Sequence, residues 1–322
     1  MTSKYAASNA ANAPAVSVTV PNYNHARFLR QRIDSILNQT FRDFELILLD
    51  DASTDDSISI LEEYAAHPKV SHFVVNDSNS GHPCQQWEKG LQLSSGNTIW
   101  IAESDDWAHS EFLERMYQLL HASEQNVIAC CRSRTINTDG QPDPRGYFWA
   151  DALEPGRWDS AYSNNGLDEI KHYLSMRNTI PNASAAVFKR IPALGVRFPS
   201  ELRFVGDWVL WLRLLRHGNL TYAPEVLNYF RMHAGTTRAT LDQTLEHRRI
   251  VEYLMAISES GAGFRASIRP CDFDHSWILN QYRFGVLELP FWILKASKLP
   301  LLLRLQFLFH AAIRCCTDFM RR

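Results

Sequence analysis

The chain has 322 residues, of which 45% are hydrophobic and 21% charged, with a formal net charge of -2. Its length is enough for one large domain, or one domain with a smaller lobe, and for a substantial core. The near balance of charge argues against a nucleic-acid-binding protein, which would carry a basic face. Six cysteines form no CxxC pair and no spacing typical of a zinc site or a disulfide framework, which favours a reducing compartment.

The chain begins with a polar segment and continues with alternating strands and helices. Residues 1–14, rich in Ala, Ser and Asn, match neither a signal peptide nor an anchor, and we predict a disordered tail. Helical patterns separate short apolar runs that predict strands at residues 16–20, 44–49, 70–75, 98–102 and 127–131. This order predicts an α/β fold with a mostly parallel sheet flanked by helices.

Polar clusters follow three of the predicted strands. They lie at residues 21–24, 50–51 and 103–106. Because ligands of such sheets bind beyond the carboxyl ends of the strands, these clusters are expected to meet in one cleft.

The third cluster, Glu103-Ser104-Asp105-Asp106, carries three carboxylates within four residues. Such groups repel one another unless a cation or solvent intervenes, and Mg²⁺ or Mn²⁺ is held by carboxylate oxygens. The alternative is a solvated acidic turn before the next helix. The sequence leaves both interpretations open.

Two other acidic positions have a structural alternative of the same kind. Asp50 and Asp51 open a segment that fits either a contact with a nucleoside or an Asx-type turn. Asp207 opens a nearly all-apolar helix, predicted to be buried, and fits either a helix cap or a carboxylate held ionised by the helix dipole.

These segments together resemble the family 2 glycosyltransferases, which are inverting enzymes of GT-A (Rossmann-like) fold that use nucleotide-sugars. The resemblance covers about residues 15 to 238 and rests on five motifs in the family's order. They are VTVPNYN at 18–24, SILNQTF with FELILLDDASTD at 35–55, ESDDW at 103–107, DWVLWLRL at 207–214 and YFRMH at 229–233.

The resemblance implies a role for each matching position. Pro21, Tyr23 and Asp51 would contact the nucleoside of a donor such as a UDP-sugar, with Asp51 nearest the nucleobase. Asp105 and Asp106 would contact ribose and a Mn²⁺ or Mg²⁺ ion, in an order left open. Asp207 would be the general base. His233 would be an additional metal or diphosphate ligand, and the alternative for His233 is a purely structural role.

The sequence departs from the family pattern at three places. Glu103 stands where the metal motif usually begins with Asp, and Gly206 precedes Asp207 where an acidic residue is common. The segment after Gly81 reads HPCQQW at 82–87, without the Arg often found there. These departures leave the proposed metal ligands and general base in place and put the donor sugar's identity in question.

The region at 239–322 lies beyond the resemblance and is predicted to be a helical extension. From residue 287 it is apolar and basic, but Pro300 and Arg304 interrupt every long apolar span, which argues against a transmembrane helix. The composition predicts a helix lying on a membrane surface. The alternative is a helix packed on the catalytic domain or on a partner subunit.

The leading functional prediction is a cytoplasmic, metal-dependent glycosyltransferase, with peripheral contact to the inner face of the membrane. It would act on a saccharide or lipid-linked acceptor in polysaccharide or cell-surface glycan synthesis, with no nucleic-acid partner. One rival is a nucleotidyltransferase, which would want a Gly-rich basic loop after the first strand, where PNYN stands instead. The other is a nucleotide-sugar-binding protein without activity, against which the retention of Asp105, Asp106 and Asp207 argues.

Overall fold

The computed structural model describes residues 2–3, 13–143, 149–233, 243–263, 275, 278 and 300–320. Its strands are β1 (Thr2–Ser3), β2 (Val16–Asn22), β3 (Phe44–Asp50), β4 (Val70–Val75), β5 (Thr98–Ile101), β6 (Trp107–Ala108), β7 (Asn126–Ile136), β8 (Tyr162–Asn164), β9 (Ala186–Lys189) and β10 (Asn219–Arg231). Its α-helices are α1 (Ala26–Leu37), α2 (Ser57–Ala65), α3 (Pro83–Leu93), α4 (Phe112–His121), α5 (Gly166–Glu169), α6 (Arg190–Leu194), α7 (Gly206–Leu214), α8 (Gln243–Glu259) and α9 (Leu301–Met320).

The strands form one mixed sheet in the order β1-β4-β3-β2-β5-β9-β7-β10-β6, with β8 paired to β10. The strands β4, β3, β2 and β5 are parallel, as are β7 and β10, and β9 runs antiparallel between β5 and β7. The predicted α/β class and the shared sheet of the first four strands are therefore confirmed. The prediction for residues 1–14 falls mostly outside the described residues, although Thr2 and Ser3 pair with Val75 and Val74.

Helices cover both faces of the sheet, because each helix buries an apolar stripe. In α1 that stripe includes Leu29, Ile33 and Ile36, and α1, α2 and α4 pack on one face. The helices α3, α7, α8 and α9 contribute to the core on the other face. The predicted burial of α7 is confirmed, since eight of its nine residues are buried.

The position of α3 depends on a close approach to the sheet. A Cβ at Gly90 would lie 2.4 Å from the Thr19 side chain on β2, so only glycine fits there without displacement. Pro83 occupies the first turn of α3, where its missing N–H leaves no hydrogen bond unmade. This packing brings Gln86 and Trp87 to the carboxyl edge of the sheet.

The structure clarifies two features in the second half of the chain. Residues 167–176 have the apolar spacing of a single helix, but α5 ends at Glu169 and a π-helical turn continues through Ile170–Leu174. The C-terminal helices share the hydrophobic core of the sheet, since α8 buries Leu254 and α9 buries Phe307 within it. Within the described residues, no helix is both long and apolar enough to cross a bilayer.

Candidate active site

The polar ends of β2 and β3 lie side by side at one edge of the sheet. The side chain of Asn22 donates a hydrogen bond to Asp50 Oδ2 at 2.8 Å, and the Asp51 N–H donates to the Asn22 carbonyl at 2.8 Å. Pro21 is buried in β2 opposite Leu49. Tyr23 is exposed at the rim of the edge. The structure thus brings the first two predicted clusters together.

Asp51 is buried, and its carboxylate accepts hydrogen bonds from the segment that leads into α3 and from α3 itself. Its oxygens accept hydrogen bonds from the Asn76 amide at 2.6 Å, from the Ser80 hydroxyl at 2.7 Å and from Gln86 at 2.8 Å. The Ser80 N–H also donates to both oxygens at 3.0 Å. Asp51 therefore fixes the loop beside the cleft, and its predicted contact with a nucleobase stays a prediction.

The acidic turn after β5 is largely withdrawn from solvent, since Ser104 and Asp106 are buried and Glu103 and Asp105 are half-buried. The Trp87 indole N–H donates to Glu103 Oε1 at 2.7 Å, and the Glu103 N–H donates to Ser184 Oγ at 3.0 Å. Burial, together with the charges of Asp105 and Asp106, raises the pKa of Glu103 to about 8. A cation beside this turn would relieve the crowding of negative charge.

Asp106 points into the protein and joins separate parts of the chain. Its Oδ2 accepts a hydrogen bond from the Asn182 amide at 2.6 Å, and its Oδ1 accepts one from the Arg231 N–H at 3.0 Å. Burial and the neighbouring Asp105 raise the pKa of Asp106 to about 7. Both carboxylate oxygens thus have partners within the protein.

Asp105 lies beside two histidines. Its Oδ2 is 3.1 Å from His233 Nε2, and one ligand atom from each of His25, Asp105 and His233 lies within 4.8 Å of the others. Burial lowers the pKa of His25, which favours the neutral imidazole that binds metals. Burial alone would raise the pKa of Asp105, but the His233 hydrogen bond and the nearby His25 lower it below its usual value. His25 Nδ1 lies 2.8 Å from Ser104 Oγ.

Two buried arginines flank the acidic turn. Arg231 donates from Nε to the Asp105 carbonyl at 2.8 Å and from a terminal nitrogen to Gln31 at 2.6 Å. Arg32 lies over the Trp100 ring, 4.9 Å from its centroid. Burial lowers the pKa of Arg32 to about 10 even though Asp106 raises it, so the guanidinium stays charged near neutral pH. Both cations offset part of the turn's negative charge.

Asp207 and the acidic turn line one cavity of about 130 Å³. Asp207 is the second residue of α7, whose N-cap is Val205, so it is not the cap that its position suggested. Its Oδ1 accepts from the Trp208 N–H at 2.8 Å and its Oδ2 from the Asn178 amide at 3.0 Å. The acidic turn contributes Glu103, Asp105 and Asp106, and the remaining lining residues are Pro83, Cys84, Trp87, Asn182, Ala183, Arg203, Phe204, Gly206 and Phe230.

Two of the departures from the family pattern touch each other in this cavity. A Cβ at Gly206 would lie 2.0 Å from Cys84 Sγ, so an acidic side chain at 206 cannot coexist with Cys84 in its present position. The loop before Gly206 is held from α8, where the Glu252 carboxylate accepts hydrogen bonds from the Arg203 and Phe204 N–H groups at 3.0 and 2.7 Å.

Sequence reasoning missed several residues of this site. His25 directly follows the PNYN segment, and Arg231 stands inside the quoted YFRMH motif, so both were adjacent to recognised signals. Asn182 and Arg32 had no local signal, because their contacts depend on how distant elements pack.

Comparisons with known proteins identify the family and the fold. The model of the family described as Glycosyl transferase family 2 matches residues 17–183, about half of the chain. An uncharacterized glycosyltransferase of Rickettsia typhi is 27% identical over 243 residues, which span 74% of this chain and 70% of that protein.

Solved structures share the fold at low sequence identity. TarS of S. aureus in complex with UDP has a TM-score of 0.63 and 17% identity, covering 95% of this chain and 92% of that one. The mannosyltransferase PcManGT of Pyrobaculum calidifontis, in complex with GDP-Man and Mn²⁺, has a TM-score of 0.56 and 16% identity, covering 97% and 90%. From the family match and the shared fold, we conclude that the chain belongs to glycosyl transferase family 2, adopts the GT-A fold and is a glycosyltransferase.

Proposed function

We propose that the protein is an inverting, metal-dependent enzyme that transfers a sugar from a nucleoside diphosphate sugar, with UDP as the nucleotide. The acceptor would be a hydroxyl group of a saccharide or of a lipid-linked glycan. The observation that carries the proposal is that Asp207 and the acidic turn at 103–106 line the same cavity. A general base and the groups that neutralise a diphosphate are thus within reach of one substrate.

The residues at the turn fit a divalent cation. His25, Asp105 and His233 offer two imidazole nitrogens and one carboxylate oxygen, a set that suits Mn²⁺ better than Mg²⁺, which prefers oxygen ligands. Asp105 is favoured over Asp106 as the ligand because both Asp106 oxygens already accept hydrogen bonds from within the protein. A bound Mn²⁺ would neutralise the departing diphosphate, and PcManGT, which was solved with Mn²⁺, supports this assignment.

The donor's nucleoside would lie at the edge formed by β2 and β3. Tyr23 is exposed there and offers an aromatic face, while Pro21 and Asp51 shape the wall behind it. The Asp51 carboxylate already accepts hydrogen bonds from Asn76, Ser80 and Gln86. Its main contribution would therefore be to hold the wall in place, with one remaining lone pair open to the nucleobase. TarS in complex with UDP supports the choice of nucleotide.

Asp207 would accept the proton of the acceptor hydroxyl as its oxygen attacks the anomeric carbon. The bond from that carbon to the diphosphate breaks on the opposite face, so the configuration inverts. The Asn178 amide and the Trp208 N–H donate to the carboxylate and stabilise its ionised form. Trp87, Phe204 and Phe230 line the cavity with aromatic surface suited to the apolar face of a sugar ring.

The test is a donor panel of UDP- and GDP-sugars, assayed for nucleotide release and sugar transfer with Mn²⁺, with Mg²⁺ and with a chelator. We expect one UDP-sugar to be used with Mn²⁺ preferred, and Asp105→Asn to weaken Mn²⁺-dependent UDP binding by about tenfold or more. Asp139→Asn, at an exposed residue paired with Arg27, is the matched control and should behave as the wild type. Undiminished turnover with the chelator present would contradict the metal assignment.

A further inference from the structure

The helix α9 is apolar on two opposite faces. Leu303, Phe307 and Ala311 are at most 3% exposed and belong to the core. On the other side, Leu301, Leu302, Leu305 and Phe309 are 63%, 68%, 55% and 63% exposed. Positions 301, 305 and 309 recur every four residues, so they form one row along the helix, which we call the outer row together with Leu302. A row of this kind on a packed helix indicates an interaction surface.

Charge along the chain indicates what the outer row contacts. Residues 289–322 contain six lysine or arginine residues and one acid, Asp318. The preceding 288 residues contain 27 basic and 34 acidic residues. The segment that carries the outer row is therefore positive, whereas the rest of the protein is negative.

This difference in charge distinguishes between two surfaces that could contact the outer row, a second copy of the chain and a lipid bilayer. Two copies that met through their outer rows would bring two positive segments together, and repulsion would oppose that contact. A bilayer surface with anionic headgroups attracts the positive segment, while its acyl boundary accepts exposed leucine and phenylalanine side chains. The negative remainder of the protein would be repelled, which orients the molecule with α9 toward the lipid.

We propose that the outer row of α9 docks the protein peripherally on an anionic lipid surface, with the helix axis lying in the plane of the membrane. The proposal goes beyond sugar transfer and does not depend on which donor or acceptor is used. Since Leu303 and Phe307 keep the opposite face of α9 on the catalytic core, docking would hold the cavity at a fixed height above the lipid.

The experiment is co-sedimentation of the full chain with vesicles of phosphatidylcholine alone and vesicles of equal parts phosphatidylcholine and phosphatidylglycerol. We expect binding to the mixed vesicles that weakens as salt is raised. The double variant Leu305→Gln with Phe309→Gln should lower the partition coefficient by about tenfold or more, since it removes apolar surface that enters the lipid. Both residues are exposed, so the fold and the release of nucleotide in solution should be preserved.

The matched control is Ile191→Gln with Leu194→Gln, which removes two exposed apolar side chains of α6. This control should bind the mixed vesicles as the wild type does. The proposal is overturned if the wild type does not bind mixed vesicles, or if both double variants bind equally well. A wild-type dimer in solution that the α9 variant dissociates would assign the outer row to a second copy instead and would also overturn it.

Discussion

Asp207 combines burial with two donated hydrogen bonds. The donors are the Trp208 N–H and the Asn178 amide, one on each carboxylate oxygen. As a residue in the first turn of α7, it also experiences the positive end of the helix dipole. The two hydrogen bonds and the helix dipole favour the ionised carboxylate, which is the form that can take a proton, whereas burial opposes it.

Replacing Asp207 by Asn separates its structural role from its chemical one. The amide oxygen of Asn can accept only one of the two hydrogen bonds, so we expect a stability loss of about 1 kcal/mol in thermal unfolding. Turnover should fall by about a hundredfold or more, because the amide cannot accept the proton. Calorimetric binding of UDP should be close to that of the wild type.

Asp168→Asn provides the control for this substitution, because Asp168 is an exposed acid in the first turn of α5. It should leave turnover unchanged. Wild-type turnover in Asp207→Asn would show that the general base lies elsewhere.

At the scale of elements, the contact between α3 and α7 depends on the absence of a side chain at Gly206. Alanine there would lie 2.0 Å from Cys84 Sγ, and Cys84 is buried and short, so it cannot move aside. We expect Gly206→Ala to lower the free energy of unfolding by about 1–3 kcal/mol in urea titrations.

Removing the sulfur should relieve that overlap. In the double variant Cys84→Ala with Gly206→Ala, the atom of residue 84 nearest to the new Cβ at 206 is the Cβ of residue 84, at 3.7 Å. Alanine at 206 also has a higher helix propensity than the glycine that it replaces. Stability should therefore return to near the wild-type value, giving a coupling energy of about 1–3 kcal/mol between the two positions. Additive effects of the two substitutions would show that these side chains do not interact.

The elements differ in how far the sequence could predict them. The strands β2 to β5 were predictable because each is a short apolar run bounded by polar residues, and α7 was predictable because it has almost no polar face. The π-helical turn after α5 was not, since its apolar spacing resembles that of an ordinary helix. The strand β9 is only an apolar stretch in the sequence, because its antiparallel pairing with β5 and β7 depends on tertiary packing.

The same distinction holds for the site. Asp105, His233 and Asp207 could be proposed from the sequence because they lie in motifs whose order along the chain resembles a family. His25 was missed although it borders such a motif, because no local pattern indicates that its ring meets His233, 5.4 Å away between centroids. The engagement of Asp51 by Ser80 and Gln86 was also hidden, since it depends on the path of a loop. Family membership gives no support to the rival predictions of nucleotidyl transfer and of binding without catalysis.

For the molecule as a whole, Arg231 joins parts of the chain that are distant in sequence. Its guanidinium donates to Gln31 on α1, to the Asp105 carbonyl and to the Asn137 and Thr138 carbonyls. We expect Arg231→Leu to lower the free energy of unfolding by about 3–5 kcal/mol, since it leaves the charges of Asp105 and Asp106 without this buried cation and four oxygen acceptors without their donor. Urea titration would measure the loss.

Arg197→Leu is the comparison variant, because Arg197 is largely exposed and its pair with Glu201 should contribute within about 0.5 kcal/mol. Equal stability losses in the two variants would contradict a linking role for Arg231.

The hydrogen bond from the Arg231 N–H to Asp106 spans 125 residues of sequence, and that from the Arg231 side chain to Gln31 spans 200. Contacts of such separation form late in folding, because a long loop must close before they contribute. During refolding, β2 to β5 can pair before β10 arrives, whereas the acidic turn has its full set of partners only afterwards. Mn²⁺-dependent UDP binding should therefore appear in refolding experiments after most of the far-ultraviolet circular dichroism has recovered.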